Sequence, residues 1–437
     1  MRIHHINAYL DGGAAVASRR LHHGLLVEGV PSRYWHTDDR WQAEAGADAE
    51  SYRLLPWGMP PVWQPVRLVA ASLRWSRERL LRTLYRKGKA QRSGMYSGPV
   101  RPYDTSLAGD LAACDLVHLH WVSQIIDYRS FFASLPTGIP LVWTLHDMQP
   151  LTGGCHHAFD CDRFTADCGR CPILGRPGDH DLSFRDHTIK REALAGRRLE
   201  VVTPSRWLEQ LARASSVVPA GTSFHTIRNG ISLQDFFPLN KAAARRELGL
   251  PDDGLVVAYA AESLRNEPKG IREFLEAISR LPERCRVTGL LFGKDQPPEG
   301  IATVPLVKLG FLTDPAEQRR AFSAADIFAL PSHAETISQT AVESLACGTP
   351  VVAFEVGGVP EVVRHGETGL LARPRDAADL AQAMLTLADD PALRSRMAAA
   401  GGALVREEFE VSGQVRRYRS LYEASLSTAG GPEASAA

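Results

Sequence analysis

The run Asp326 to Leu330 (DIFAL) and the run Val351 to Phe354, with Pro331 to Pro350 between them, leave this chain few folds to choose from. Each run is short, apolar and uninterrupted, the pattern of a strand buried on both faces. Between them, Thr336 to Ala346 reads as a helix whose buried face carries Val342, Leu345 and Ala346, and Gly348 and Pro350 stop it. Strand, helix and strand at this spacing make a parallel βαβ unit. Ligands of such sheets bind beyond the carboxyl ends of the strands. That rule directs attention to Ser332 to Ser338 and Glu355 to Gly358.

Two carboxylates mark that edge. Glu335 stands just before the helix and Glu343 eight residues on, about 80° around at ~100° per residue, so both can face one crevice. The helix N-terminus between them offers unpaired backbone N–H groups and a positive dipole end, a seat for phosphate near Thr336, Ile337 and Ser338. A carboxylate further along suits a ribose diol, because it accepts two hydroxyl hydrogen bonds. Taken alone, the pair reads more readily as two exposed glutamates on an ordinary helix.

Composition sets the frame. The 437 residues, 44% of them apolar, suffice for two cores and hence two domains. Lys+Arg and Asp+Glu both total 50, so no global charge draws the chain to nucleic acid. No apolar run reaches the ~18 residues that span a bilayer. Met1-Arg-Ile-His-His-Ile-Asn7 reads as a first strand without a signal peptide, which places the protein in the cytoplasm, with the inner membrane face as an alternative. The seven cysteines are then expected to be reduced unless metal-bound.

The neighbourhood of the two glutamates sharpens the reading. Glu335-x7-Glu343, Ala346-Cys-Gly-Thr-Pro350-Val-Val, Gly357-Gly-Val-Pro-Glu361 and Gly366-Glu-Thr-Gly369-Leu-Leu follow in order at close spacing. This succession resembles the nucleotide-sugar half of the retaining glycosyltransferases of family four, in particular the bacterial exopolysaccharide and colanic-acid type. The resemblance covers roughly residues 1–425 and is sharpest over 331–370. It implies an α/β GT-B fold, two Rossmann-like doubly wound domains facing across a cleft. The expected layout is an acceptor-side domain over 1–230 and a donor-side domain over 231–410. A terminal helix over 411–427 completes the first domain, and 428–437 (TAGGPEASAA from Thr428) reads as a disordered tail.

In the first half, Asp11-Gly12-Gly13-Ala14-Ala15 opens a helix through Leu26, and adjacent glycines there let backbone N–H groups approach a phosphate. A plain tight turn explains them as well; the resemblance implies that Gly12 and Gly13 lie near the donor pyrophosphate. Residues 41–103 break the βαβ rhythm and read as an insertion. Within it, residues 65–95 carry nine basic side chains, Arg67 to Arg92, against Glu78 alone, with leucines at roughly helical spacing. Such a segment fits an anionic membrane surface or a solvated helix packed on its domain. Two core strands, Leu116 to His120 and Leu141 to Leu145, end in His118-Leu-His-Trp121 and Thr144-Leu-His-Asp147. The second context resembles the family's acceptor-side site, which implies that His146 sits by the donor sugar and makes His120 and Asp147 candidates beside it. Ser205 and Arg206 in Val201-Val-Thr-Pro-Ser-Arg-Trp207 resemble another cleft-lining turn of the family. Cys155, Cys161, Cys168 and Cys171 fall within seventeen residues of a loop over 152–174. The Cys168-x2-Cys171 spacing suits a structural zinc, the wider gaps suit free thiols or a local disulfide, and both readings stand.

In the second half, Thr226-Ile-Arg-Asn229-Gly230-Ile231 resembles the family's passage into the donor domain. Lys269-Gly270 matches the lysine that neutralises the donor diphosphate, whereas the family's partner arginine is replaced by Ala261, Glu262 or Ser263, and Arg265 is the nearest substitute. The resemblance therefore implies sugar transfer, with retention, from a nucleoside-diphosphate sugar to a saccharide acceptor, lipid-linked if the basic segment meets a membrane. Lys269 would face the leaving group, Glu335 the sugar hydroxyls, Glu343 the ribose and His146 the reacting face. No Asp-x-Asp demands a catalytic metal, so no cofactor is expected for transfer. A non-catalytic sugar-nucleotide-binding protein and a nucleotide-sugar epimerase of the same fold are the alternatives.

Overall fold

The computed structural model describes residues 1–10, 12–37, 51–53, 94–100, 114–136, 138–175 and 178–429, with isolated positions between 73 and 83. The chain divides into two compact units, Met1–Ile227 with Val415–Ala437, and Arg228–Gln414.

The first unit alternates strands and helices: β1 (Ile3–Ile6), α1 (Gly13–Val27), β2 (Ser32–His36), β3 (Ser51–Arg53), β4 (Leu116–Leu119), α2 (Tyr128–Ser134), β5 (Leu141–Thr144), α3 (Leu182–Leu194), β6 (Leu199–Thr203), α4 (Arg206–Ala214) and β7 (Ser223–Thr226). All seven strands are parallel, in the order β3-β2-β1-β4-β5-β6-β7. One correction concerns residues 41–103, which are not wholly an insertion. Ser51–Arg53 pairs with Tyr34 to His36 as the sheet's edge strand, and Tyr96 bridges to Cys155. Most of the basic segment 65–95 lies outside the described residues. Of its described positions, Leu73, Arg77 and Leu80 are helical, and both leucines are exposed.

The second unit holds α5 (Lys241–Glu247), β8 (Val256–Ser263), α6 (Ile271–Ser279), β9 (Thr288–Lys294), β10 (Leu306–Lys308), α7 (Pro315–Ala324), β11 (Ile327–Leu330), α8 (Gln339–Ala346), β12 (Val351–Phe354), β13 (Gly369–Ala372), α9 (Ala377–Asp389) and α10 (Pro391–Glu408). Its six parallel strands run β10-β9-β8-β11-β12-β13. Strand alternation explains why these segments are apolar throughout. Val256, Ala258, Phe328, Val351 and Ala353 join one core, while Val257, Tyr259, Ile327, Val352 and Phe354 join the other across the sheet. The helix expected from Thr336 starts at Gln339, because the Ser338 hydroxyl caps it by accepting from the Ala341 N–H at 3.2 Å.

The last helix, α11 (Val411–Ala429), starts in the second unit and ends in the first. Tyr418 and Tyr422 on it are fully buried in the first unit. The Tyr418 hydroxyl meets Thr144 Oγ1 at 2.7 Å and the Tyr422 hydroxyl meets His118 Nδ1 at 2.7 Å.

Candidate active site

In each sheet the strand order turns back on itself once, between β1 and β4 and between β8 and β11. Connections leave the sheet in opposite directions there, so a crevice opens at the carboxyl edge, the usual ligand site of doubly wound sheets.

In the second unit this crevice is bounded by the loop after β8 and the loop after β11. Lys269 comes from the first and Glu335 from the second, and Lys269 Nζ stands 2.5 Å from Glu335 Oε1. The Ser332 hydroxyl donates to the same carboxylate at 3.2 Å. The Glu335 side chain is 12% exposed and that of Lys269 36%, so a fixed carboxylate holds a cation that still reaches solvent. Glycines bring the loops together. Gly270 adopts φ +76°, and a Cβ there would lie 1.9 Å from the Pro331 carbonyl oxygen. Gly357, at φ +54°, would place a Cβ 1.9 Å from the Glu335 carbonyl oxygen, and the Gly358 N–H donates to that oxygen at 3.0 Å. The backbone of Glu335 is thus clamped from the β12 side by the Gly357-Gly358 turn. Thr336, Ile337 and Ser338 are buried, as is Glu343 in α8. Arg265 is exposed, and its backbone N–H donates to Ser263 Oγ at 3.1 Å. Glu361, from the same motif as Gly357, pairs with Arg228 at 2.5 Å where the chain enters this unit.

In the first unit, Gly12 adopts φ +89° at the start of α1, and a Cβ added at Gly12 or Gly13 would meet no atom within 4 Å. The turn faces open space, as a backbone phosphate cradle requires. His146 follows β5 and is partly exposed; burial lowers its pKa to about 4, with Asp147 opposing, so the ring is neutral near pH 7. Other first-unit candidates take structural positions. His120 is 2% exposed, with Nε2 at 2.9 Å from His5 and Nδ1 at 3.2 Å from His146, so it lies beneath the surface and not on it. Asp147 turns inward to accept from the Trp121 indole at 2.7 Å and the Gln149 N–H at 2.8 Å, and it sits 2.6 Å from His156 Nδ1. Burial raises the Asp147 carboxyl, but His156, the Gln149 N–H and His157 outweigh it and hold the pKa at about 2. Ser205 is fully buried as the N-cap of α4, accepting from the Leu208 N–H at 3.3 Å, while Arg206 next to it is exposed. The Thr-Pro-Ser pattern was a capping signal first.

Comparison with known proteins decides the family. The family model described as glycosyl transferases group 1 matches residues 255–390. The D-inositol 3-phosphate glycosyltransferase of Thermobispora bispora is 34% identical over 332 residues, 71% of each chain. The chain belongs to the group 1 glycosyl transferases. Among solved structures, the sucrose-phosphate synthase of Thermosynechococcus elongatus superposes with TM-score 0.66 at 19% identity, covering 98% of this chain and 99% of that one. Alr3699/HepE of Anabaena, in complex with UDP-glucose, superposes with TM-score 0.63 at 17% identity, covering 97% and 100%. These likenesses carry the fold, which is GT-B.

Some residues of this glycosyltransferase that shape the site escaped the sequence reading. Ser332 and His333, the latter 2.8 Å from Glu273 of α6, lie in a loop stretch whose pattern does not distinguish them from their neighbours. His5 looks like an ordinary strand residue in the sequence, and its signal is the pairing with His118 across β1 and β4, whose strands alternate in step. The cysteine loop behaves differently from the rest. All four thiols line one cavity of about 20 Å³ and none forms a disulfide. Among the described residues, the three-ligand group that closes to within 4.8 Å is His5, His118 and His120.

Proposed function

We propose that this glycosyltransferase moves a hexosyl group from a nucleoside-diphosphate sugar to a hydroxyl acceptor with retention at the anomeric carbon. The observation that carries the reading is the Lys269–Glu335 pair at the β8/β11 crevice, a half-exposed cation held by a buried carboxylate. As the glycosidic bond breaks, negative charge grows on the departing diphosphate while the sugar becomes oxocarbenium-like. Positive groups fixed in advance at that oxygen act where they lower the barrier most. Lys269 and the α8 N-terminus capped by Ser338 fill that role in the second unit without a required metal, and the open Gly12-Gly13 turn is a backbone phosphate seat of the first unit. Glu335 holds sugar hydroxyls, Glu343 the ribose, and His146 the face of the sugar ring. Arg265 is a secondary cation for the phosphates. The UDP-glucose complex of the Anabaena neighbour supports a nucleotide-sugar donor.

Two acceptors have separate support. The Thermobispora relative's name favours an inositol phosphate. The basic segment with its exposed Leu73 and Leu80 favours a lipid-linked saccharide of cell-surface polysaccharide assembly, met at the inner membrane face. Product formation with each class separates them. A structural zinc at Cys155, Cys161, Cys168 and Cys171 is a further part of the proposal, and a zinc-to-protein ratio near zero in purified protein removes it.

The testing experiment is thermal stability against UDP-, GDP-, ADP- and dTDP-sugars, with and without magnesium, since a ligand of the folded state raises the melting point. One donor is expected to shift it without metal, and Glu343→Ala to abolish the shift. Lys269→Ala should keep donor binding measurable yet lower kcat by about 10²-fold. Near-normal turnover in that variant overturns the assignment of the leaving-group site.

A further inference from the structure

His146 is the outer end of a buried file of imidazoles. His5 on β1 pairs in register with His118 on β4, and His120 lies two residues beyond His118 on the same face. His5 Nδ1 stands 2.9 Å from His120 Nε2, and His120 Nδ1 stands 3.2 Å from His146 Nε2. His5 is completely buried, and its remaining ring nitrogen, Nε2, meets no hydrogen-bond partner among the described residues. Burial holds all three rings neutral, so each carries one proton.

Two hydrogen bonds among three neutral rings allow two arrangements. In the inward one, His146 donates from Nε2 to His120, His120 donates from Nε2 to His5, and the His5 proton is left on Nε2 facing no acceptor. In the outward one, His5 donates from Nδ1, His120 donates from Nδ1, and only a lone pair of His5 is left unmatched. A buried N–H without an acceptor is the rarer and costlier fault. The outward arrangement wins.

From this geometry we infer that His5 and His120 are positioning residues that fix His146 as its Nδ1–H tautomer, with Nε2 occupied as an acceptor. This rests on the placement of His146 at the donor sugar proposed above. It adds that His146, protonated at Nδ1 and occupied at Nε2, presents no free basic nitrogen. It cannot then serve as a general base toward the acceptor hydroxyl. A metal shared by His5, His118 and His120 is the competing account. Two nitrogens on one tetrahedral zinc, at about 2.1 Å each, stand about 3.4 Å apart. The 2.9 Å between His5 and His120 is a hydrogen-bond length, and His118 is already engaged at 2.7 Å by the hydroxyls of both Thr144 and Tyr422.

The test is long-range ¹H–¹⁵N correlation spectroscopy of the full chain labelled in histidine, with His146 assigned through His146→Gln. The expected result is a neutral His146 protonated at Nδ1, and loss of that uniform state in His5→Phe. His120→Phe should lower kcat roughly tenfold to hundredfold with donor KM little changed, as misplacement of a reacting group does. His120→Gln, whose amide can still donate toward His146, should recover most of that loss. A wild-type His146 protonated at Nε2 overturns the inference, as does one equivalent of zinc that disappears in His5→Phe. If His146→Ala leaves kcat intact, the placement of His146 at the sugar fails, while the spectrum still decides the tautomer.

Discussion

His5, His118, His120 and His146 all titrate below the ordinary histidine range, because burial strips water from the charged form and neighbouring imidazoles or burial alone outweigh any opposing charge. The consequence for stability has a definite sign. The unfolded chain takes up protons near pH 6.5 that the folded chain refuses, so stability is full above that pH and falls with acidification. For His146 the loss runs from 6.5 down to about 4. Denaturant midpoints measured between pH 7.5 and 5 should therefore drop progressively; a level profile would show that these rings are not buried neutral. Single residues were also where the sequence was least readable. Lys269 and Glu335 could each be singled out by motif, yet they are 66 positions apart and nothing local says that they touch. Asp147 and Ser205 carry polar groups in motif-like places, and only their inward partners reveal them as supports.

Elements were more legible. The apolar run ending at Leu330 and the run Val351 to Phe354 are strands within one residue of the reading, because a strand buried on both faces has no polar position to blur its ends. Helix starts are less readable: Ser338 delays α8 by three residues, and a serine followed by Gln-Thr-Ala can cap or continue. The three-residue β3 could not be told from its surroundings, since so short a strand is defined by its neighbour β2 and not by its own pattern. At this scale Gly357 is the sharpest test of how loops build the crevice. Gly357→Ala demands both a left-handed alanine and a shift of the Glu335 carbonyl. The expected outcome is a melting point lowered by a few degrees and donor affinity weakened about tenfold or more, measured by calorimetric titration. Unchanged affinity would mean that the turn does not set the position of Glu335.

At the scale of the whole chain, the first unit is closed by residues that come last. Tyr422→Phe removes the hydroxyl that meets His118 Nδ1 and leaves a buried ring nitrogen unmatched, a loss of about 1–3 kcal/mol. Urea unfolding followed by fluorescence, together with limited proteolysis near residue 415, should detect the weakened docking of α11. Its periodicity announces a helix, but which tyrosine meets which histidine is set by the depth of the sheet it packs on.

Residues 228–414 form one unbroken stretch, whereas the other unit needs residues 1–227 and the return of α11. On a ribosome the downstream unit has all its chain available while the upstream one still lacks Tyr418 and Tyr422. The part begun first is completed last, and until then the hydroxyl partners of His118 and Thr144 are missing beneath a nascent sheet. Premature stops or stalls ahead of the Tyr418 codon would therefore injure the half of the enzyme that is translated first.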